Sequence, residues 1–207
     1  MQKSQCPIGY WDLEIGNFMK IGILGGTFNP IHYGHLILGE QVLGQLKLDC
    51  VIYVPSFLPP HKSNKGVIAA CHRLKMIQLA CAHNRNFCVS DIEIKRKGKS
   101  YTVDTLRQIK RKYPGAELYF LCGSDLVSEL PMWKNLDEIF KLAKFVLAKR
   151  PGFGKRLTGK PFLKIHVAQV DISSSLIRDL IEQRRSIRYL TPDAVVQYIE
   201  KHQLYRR

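Results

Sequence analysis

The chain has 207 residues, of which 45% are hydrophobic, enough for a sizeable core and ordinary for a globular protein. No run approaches the ~18 consecutive apolar residues of a membrane span, and Asp12 and Glu14 interrupt the apolar block that a secretory signal needs, so a cytoplasmic protein without a membrane partner is expected. The formal net charge of +15 suits a protein that concentrates polyanions.

Residues 1–18 show no clear period and stand as an N-terminal extension or as sequence upstream of a start at Met19, which leaves 19–207 as one expected domain. Lys20-Ile21-Gly22-Ile23-Leu24 reads as a buried strand that ends in a Gly25-Gly26 turn. Over residues 35–46, Leu36, Leu43 and Leu46 share one helical face, and residues 50–54 form a second strand closed by Pro55. Residues 67–82 carry Val67, Ala70, Cys71, Leu74, Ile77 and Cys81 at helical spacing, and 87–94 return as a strand. Val103, Leu106, Ile109 and Tyr113 mark a helix stopped by Pro114-Gly115; a strand over 117–122, a helix over 133–142 and a strand over 145–148 follow. Residues 162–167 supply a last strand, and 173–182 a helix with Leu176, Ile177, Leu180 and Ile181 on one side. Thr191-Pro192 has the N-cap and first-turn proline of a final helix that runs to about Lys201. Crossovers long enough to hold helices make the sheet parallel and covered on both faces, a doubly wound α/β fold of Rossmann-like type.

The six cysteines (Cys6, Cys50, Cys71, Cys81, Cys88 and Cys122) have no Cys-x-x-Cys spacing, and are expected as packing residues rather than as a disulfide framework or thiolate metal site. Basic residues are spread along the chain, and the densest groups, Lys95-Arg96-Lys97 and Arg184-Arg185, are short. Nucleotide phosphates are therefore favoured over nucleic acid as the anionic partner.

Open α/β sheets bind ligands at the carboxyl ends of their strands. The first strand ends in Gly25-Gly26-Thr27-Phe28-Asn29-Pro30-Ile31-His32-Tyr33-Gly34-His35. Two glycines let a phosphate approach backbone N–H groups, although Gly-Gly alone is as often a simple turn. The histidines fall at a helix start, whose free N–H groups and dipole favour an anion. Zinc ligation would want a third protein ligand, and a buried core role fits two polar rings poorly; hydrogen bonding to phosphate fits best. This first motif is neither a Walker loop, which needs Gly-Lys-Ser/Thr at its end, nor the Gly-x-Gly-x-x-Gly of dinucleotide binders. Far along the chain, Ser173, Ser174 and Ser175 open an apolar-periodic helix. One cap needs only one of them. Arg178, one turn after Ser174, completes a set of hydroxyls, N–H donors and a guanidinium suited to a triphosphate.

Together, the first motif and Ile172-Ser173-Ser174-Ser175-Leu176-Ile177-Arg178 resemble the two signatures of the HxGH nucleotidylyltransferase superfamily. More narrowly, Ser100-Tyr101-Thr102-Val103-Asp104-Thr105-Leu106, Gly123-Ser124-Asp125, Leu130-Pro131-Met132-Trp133 and Pro59-Pro60-His61-Lys62 are similar to substrate-side motifs of the bacterial nicotinate-mononucleotide adenylyltransferases. Departures are Asn29 in place of the usual aspartate, Ser175 in place of threonine, and Lys134 where an aromatic often follows the tryptophan. The resemblance implies the nucleotidyltransferase form of the Rossmann-like fold, and adenylyl transfer from ATP, with Mg²⁺, to nicotinate mononucleotide. It implies ATP contacts from Gly25, Gly26, Thr27, Phe28, Asn29, His35, Ser173, Ser174, Ser175 and Arg178, and a ribose contact from Asp125. It further implies catalytic roles for His32, His35 and Arg178 on the phosphates, and acceptor contacts from Lys62, Tyr101, Thr102 and Trp133, with no protein ligand to metal. Rival expectations are another acceptor of the superfamily (phosphopantetheine or nicotinamide mononucleotide) and a non-catalytic basic nucleic-acid-binding module. Homo-oligomerisation is left open.

Overall fold

The computed structural model describes residues 19–59, 66–123, 128–149, 161–168 and 170–206. The N-terminal extension 1–18, the acceptor-side Lys62 and the ribose-side Asp125 lie outside this set. The apolar runs form six strands: β1 (Lys20–Gly26), β2 (Cys50–Pro55), β3 (Phe87–Val89), β4 (Glu117–Gly123), β5 (Lys144–Lys149) and β6 (Phe162–His166). They make one sheet in the order β3-β2-β1-β4-β5-β6, and every pairing is parallel. The helices are α1 (Tyr33–Leu46), α2 (Ala70–Cys81), α3 (Ile92–Arg96), α4 (Thr102–Lys112), α5 (Leu136–Leu142), α6 (Ser174–Glu182) and α7 (Asp193–Lys201). None is long and apolar enough to cross a membrane.

The strands read as continuous apolar runs because both faces are covered. Alternate residues serve opposite cores. Leu24, Val51, Tyr53, Tyr119 and Leu121 pack with Val42 of α1, Ile77 of α2, Ile177 of α6 and Val195 of α7. Ile21, Ile23, Ile52, Val54, Phe120 and Cys122 pack on the other face with Val103, Leu106 and Ile109 of α4 and Ile139 of α5. Helix α1 lies so close to β2 that a Cβ at Gly39 would stand 2.2 Å from the Tyr53 hydroxyl. That same hydroxyl donates to the His35 carbonyl at 3.3 Å, which ties the core to the start of α1.

Several expected elements are corrected. The strand expected over 87–94 ends at Val89, whose pairing with Tyr53 closes the ladder; Ser90 N–H bonds the Tyr53 carbonyl, and the chain turns into α3. The alternation Ile92-Glu93-Ile94 imitates a strand, yet Glu93 is buried because it is hydrogen-bonded there. Helix α2 begins at Ala70 rather than Val67, and α5 begins at Leu136, after Asn135 in a left-handed conformation. Trp133 therefore precedes that helix and closes the 3-10 turn Leu130–Met132. Thr191 does not cap α7; Pro192 holds that position, and the Thr191 hydroxyl goes to the Ile31 carbonyl instead. Cys50, Cys71, Cys81 and Cys122 are free thiols; Cys50, Cys81, Cys88 and Cys122 are buried in the core, while Cys71 is exposed, against its reading as a packing residue.

Candidate active site

Strand order reverses between β1 and β4: the chain steps outward through β2 and β3 on one side and through β5 and β6 on the other. A crevice opens where such crossovers diverge. The cleft found there runs from Gly25, Gly26 and Thr27, at the end of β1, to Tyr101, Thr102, Trp133 and Lys134.

The first motif occupies the turn from β1 into α1, through a cis Asn29–Pro30 peptide bond. His32 is the N-cap of α1, buried to 6% exposure, and its backbone N–H donates to His35 Nδ1 at 3.3 Å. The two rings lie 3.8 Å apart between centroids, and Phe28 meets His35 edge-on at 4.9 Å. With Nδ1 as an acceptor, the neutral His35 ring carries its proton on Nε2, where it can serve as a donor. The glycine between the histidines leaves the first ring its place: a Cβ on Gly34 would stand 3.0 Å from His32 Nδ1, closer than ordinary contact. Phe28 and Asn29 are expected to contact ATP, but their side chains turn inward. Phe28 is packed at 2% exposure, and the Asn29 amide bonds Gly66 O, Ile68 N–H and the Tyr205 hydroxyl. What these two can offer a ligand is backbone.

The second motif folds directly onto the first. Three consecutive carbonyls are each held by a side chain from the C-terminal part of the chain. Arg178 Nη1 donates to Asn29 O at 2.9 Å, Ser174 Oγ to Pro30 O at 2.8 Å, and Thr191 Oγ1 to Ile31 O at 2.8 Å. The N-termini of α1 and α6 thereby meet at Pro30, which concentrates first-turn N–H groups and two helix dipoles in one place. Ser173 caps α6 by accepting from Leu176 N–H, and its hydroxyl lies 3.0 Å from that of Ser175. The Ser174 hydroxyl donates its proton to Pro30 O, which uses its single O–H.

On the opposite wall, Thr102 is the first residue of α4 and lines the cleft, and its backbone N–H precedes the first intrahelical bond. Trp133 is half-buried, packing edge-to-face on Phe120 at 5.6 Å and reaching Phe145 at 6.4 Å while lining the cleft. It packs on the core by one edge and lines the cleft with another. Lys134 stands over the Tyr101 ring, 4.8 Å from its centroid.

Three polar residues of this region escape a reading of the sequence. Arg73 is 1% exposed, and its guanidinium donates to the carbonyls of Thr27, Phe57 and Ile68, so one side chain fixes three site loops. Burial pulls its pKa below the usual arginine value. Its only sequence signal is its position three and four residues before Met76 and Ile77, on the buried stripe of α2. Glu93 accepts from the Thr105 hydroxyl at 2.5 Å, and burial pushes its carboxyl above the ordinary range, against the lowering effect of bonds from Thr105 and Ser100. Ser56 lines the cleft at 7% exposure, and its hydroxyl has no hydrogen-bond partner among the described residues. Such a group is costly unless a ligand or water completes it.

Comparison with known proteins agrees with this geometry. The family model described as Cytidylyltransferase-like matches residues 23–180. A Geobacillus thermodenitrificans protein named "Probable nicotinate-nucleotide adenylyltransferase" is 46% identical over 186 residues, covering 90% of this chain and 86% of the relative. The Bacillus subtilis nicotinate-nucleotide adenylyltransferase is 41% identical over 186 residues, covering 90% and 98%. The fold is shared with Plasmodium falciparum nicotinic acid mononucleotide adenylyltransferase complexed with NaAD, at a TM-score of 0.76 and 22% identity over 90% of this chain and 97% of that one. The chain belongs to the cytidylyltransferase-like family and, within it, to the nicotinate-nucleotide adenylyltransferases.

Proposed function

We propose that the protein, as one domain spanning 19–207 in the cytoplasm, transfers the adenylyl group of ATP to nicotinate mononucleotide, a step in the formation of NAD. The observation that carries this reading is the continuity of one cleft from the Gly25-Gly26-Thr27 turn to Thr102 and Trp133, beside the junction of α1 and α6. The glycine turn of the phosphate reading and Trp133 of the ring reading thus line one continuous cleft, which supports a single bound pair of substrates.

The reaction asks little covalent chemistry of the side chains. A phosphate oxygen of the acceptor, already ionised at neutral pH, forms a bond to the α-phosphorus of ATP as the bond to the β-phosphate oxygen breaks, and pyrophosphate leaves with that electron pair. No general base is needed, and catalysis reduces to alignment and charge stabilisation. His35 Nε2–H, the N–H groups of Ser174 and Ser175 at the start of α6, and Arg178 donate to the α-, β- and γ-phosphate oxygens. His32 holds the His35 ring in place. Trp133 stacks on the pyridine ring, and backbone N–H groups at Thr102 and Trp133 suit the two oxygens of its carboxylate. Ser56 supplies a further hydroxyl at the cleft wall. Mg²⁺ fits as an ion carried in on the triphosphate: no three His, Cys, Asp or Glu side chains among the described residues gather into a cage, and Mg²⁺ prefers phosphate oxygens and water. It neutralises phosphate charge.

The test is pyrophosphate release from ATP and Mg²⁺ with each acceptor supplied in turn. Donors that match a carboxylate face an amide NH₂ wrongly, and such a mismatch discriminates by up to ~10⁴. Nicotinate mononucleotide should therefore exceed nicotinamide mononucleotide in kcat/KM by a wide margin. Comparable values would sink the nicotinate assignment and leave adenylyl transfer standing; no turnover with either would point to another acceptor, such as phosphopantetheine.

A further inference from the structure

The ring end of the cleft holds three ionisable side chains of the acid and lysine type: Glu93, Glu129 and Lys134. Glu93 is buried, and its carboxyl is held toward the neutral form by desolvation. Glu129 can only repel an anion. Lys134 is the cation of the set, and it stands where the ring of an acceptor would lie, next to Trp133 and over Tyr101.

Its charge is not consumed by its neighbours. The nearest carboxylate, Asp104, is 3.9 Å from Lys134 Nζ, while Arg107 Nη1 binds the same Asp104 at 2.9 Å. Asp104 is thus already paired at close range, and Lys134 makes only a long contact with it. Half of the Lys134 side chain is exposed, and its stem is long enough to swing the ammonium between Asp104 and a ligand. An ammonium has three donors, and the Tyr101 ring face occupies it without using an N–H geometry that an anion would need.

Building on the acceptor reading above, we propose that Lys134 is a specificity-determining residue: its ammonium selects a mononucleotide whose ring bears a carboxylate over one whose ring bears a carboxamide. The carboxylate gains a charge-assisted bond, whereas the amide offers one oxygen dipole and an NH₂ that faces the cation unfavourably. Thr102 lines the same wall of the cleft, so Lys134 adds charge beside a neutral backbone donor at the start of α4.

The experiment compares wild type with Lys134→Met, which keeps the stem and removes the charge, and Lys134→Arg, which keeps the charge. Steady-state pyrophosphate release from ATP and Mg²⁺ is measured with nicotinate and nicotinamide mononucleotides at low and high ionic strength. In Lys134→Met the ratio of the two kcat/KM values should fall about tenfold, the size of a charge-assisted bond at a half-exposed site, through KM for the nicotinate acceptor. Lys134→Arg should restore most of the ratio. High salt should lower the ratio in wild type and leave that of Lys134→Met flat. An unchanged ratio in Lys134→Met, or an equal loss with both acceptors, would overturn the assignment, the second because it marks a purely structural role. Should the Met variant fail to fold, the salt series on wild type decides the same question: a ratio indifferent to ionic strength would overturn the assignment. Wild-type protein that used neither mononucleotide would instead remove the acceptor reading itself.

Discussion

Gly34→Ala separates the geometry of the histidine pair from the stability of the helix that carries it. The new Cβ would meet His32 Nδ1 at 3.0 Å and Cε1 at 3.1 Å, where ordinary contact starts at 3.4 Å, so the ring must retreat by about 0.4 Å. It has little room, being 6% exposed and stacked 3.8 Å from His35. Alanine gains up to ~1 kcal/mol of helix propensity over glycine, while an imidazole pushed off its rotamer costs roughly 0.5–1.5 kcal/mol. The two nearly cancel, and the urea midpoint should move little. Activity should not be spared: a misplacement of ~1 Å can cost ~10²-fold, so a few tenths of an ångström in His32, passed on to His35, should lower kcat by on the order of tenfold. Gly44→Ala is the control, because its Cβ meets nothing within 4 Å in the same helix; it should raise stability by up to ~1 kcal/mol at wild-type kcat. Pyrophosphate release and urea denaturation on both variants check the pair. A Gly34→Ala enzyme with wild-type kcat would show that the position of His32 has slack and that the tight contact around it has no bearing on turnover.

His35→Ala should lower kcat by 10²–10³, the usual loss of a donor aimed at developing charge and about 3–4 kcal/mol, with a far smaller change in ATP binding; near-normal turnover would remove His35 from the mechanism. Arg178→Lys keeps a charge but not the fork that reaches both Asn29 O and a phosphate, so KM for ATP should rise in steady-state assays. Glu93 has a folded-state pKa raised by burial above that of the unfolded chain, so the folded state binds the extra proton. Its contribution is present at acid pH and is lost as pH climbs from the unfolded carboxylate range through the folded value. Urea midpoints measured against pH should fall over that window in wild type, and Glu93→Gln should flatten this component of the slope; an identical slope in both proteins would contradict the sign.

Much of this site is legible in the sequence because its chemistry is written in contiguous motifs. His32 with His35 and Ser173 through Arg178 stand out by local spacing, and the fold bonds the two motifs together; the parallel sheet follows from alternating apolar runs and helical crossovers. What stays hidden depends on distance in sequence. Arg73 reads as a polar break in a helix, and only the fold shows that its partners at Thr27 and Phe57 lie 46 and 16 residues away. Ile92-Glu93-Ile94 has the period of a strand, and nothing nearby discloses that Thr105 draws Glu93 inward. Phe28 and Asn29 sit within the motif, and only the fold shows that their side chains are engaged inward, by packing on Tyr53 and a bond to Tyr205. Ser174 is legible as a site residue but not as a donor to Pro30 O, since a serine at a helix start looks the same whether its hydroxyl faces a ligand or a distant carbonyl.

The grip on Asn29, Pro30 and Ile31 makes one end of the chain answerable for the shape of the other. All six strands of the sheet lie before residue 167, yet the side chains that set the turn before α1 come later, at Ser174, Arg178, Thr191 and Tyr205, separated from their acceptors by 144 to 176 residues. The same segment carries Ile177 and Val195, which cover one face of the sheet. Damage to the C-terminal helices therefore reaches the turn after β1 by two routes, through lost hydrogen bonds and through lost packing.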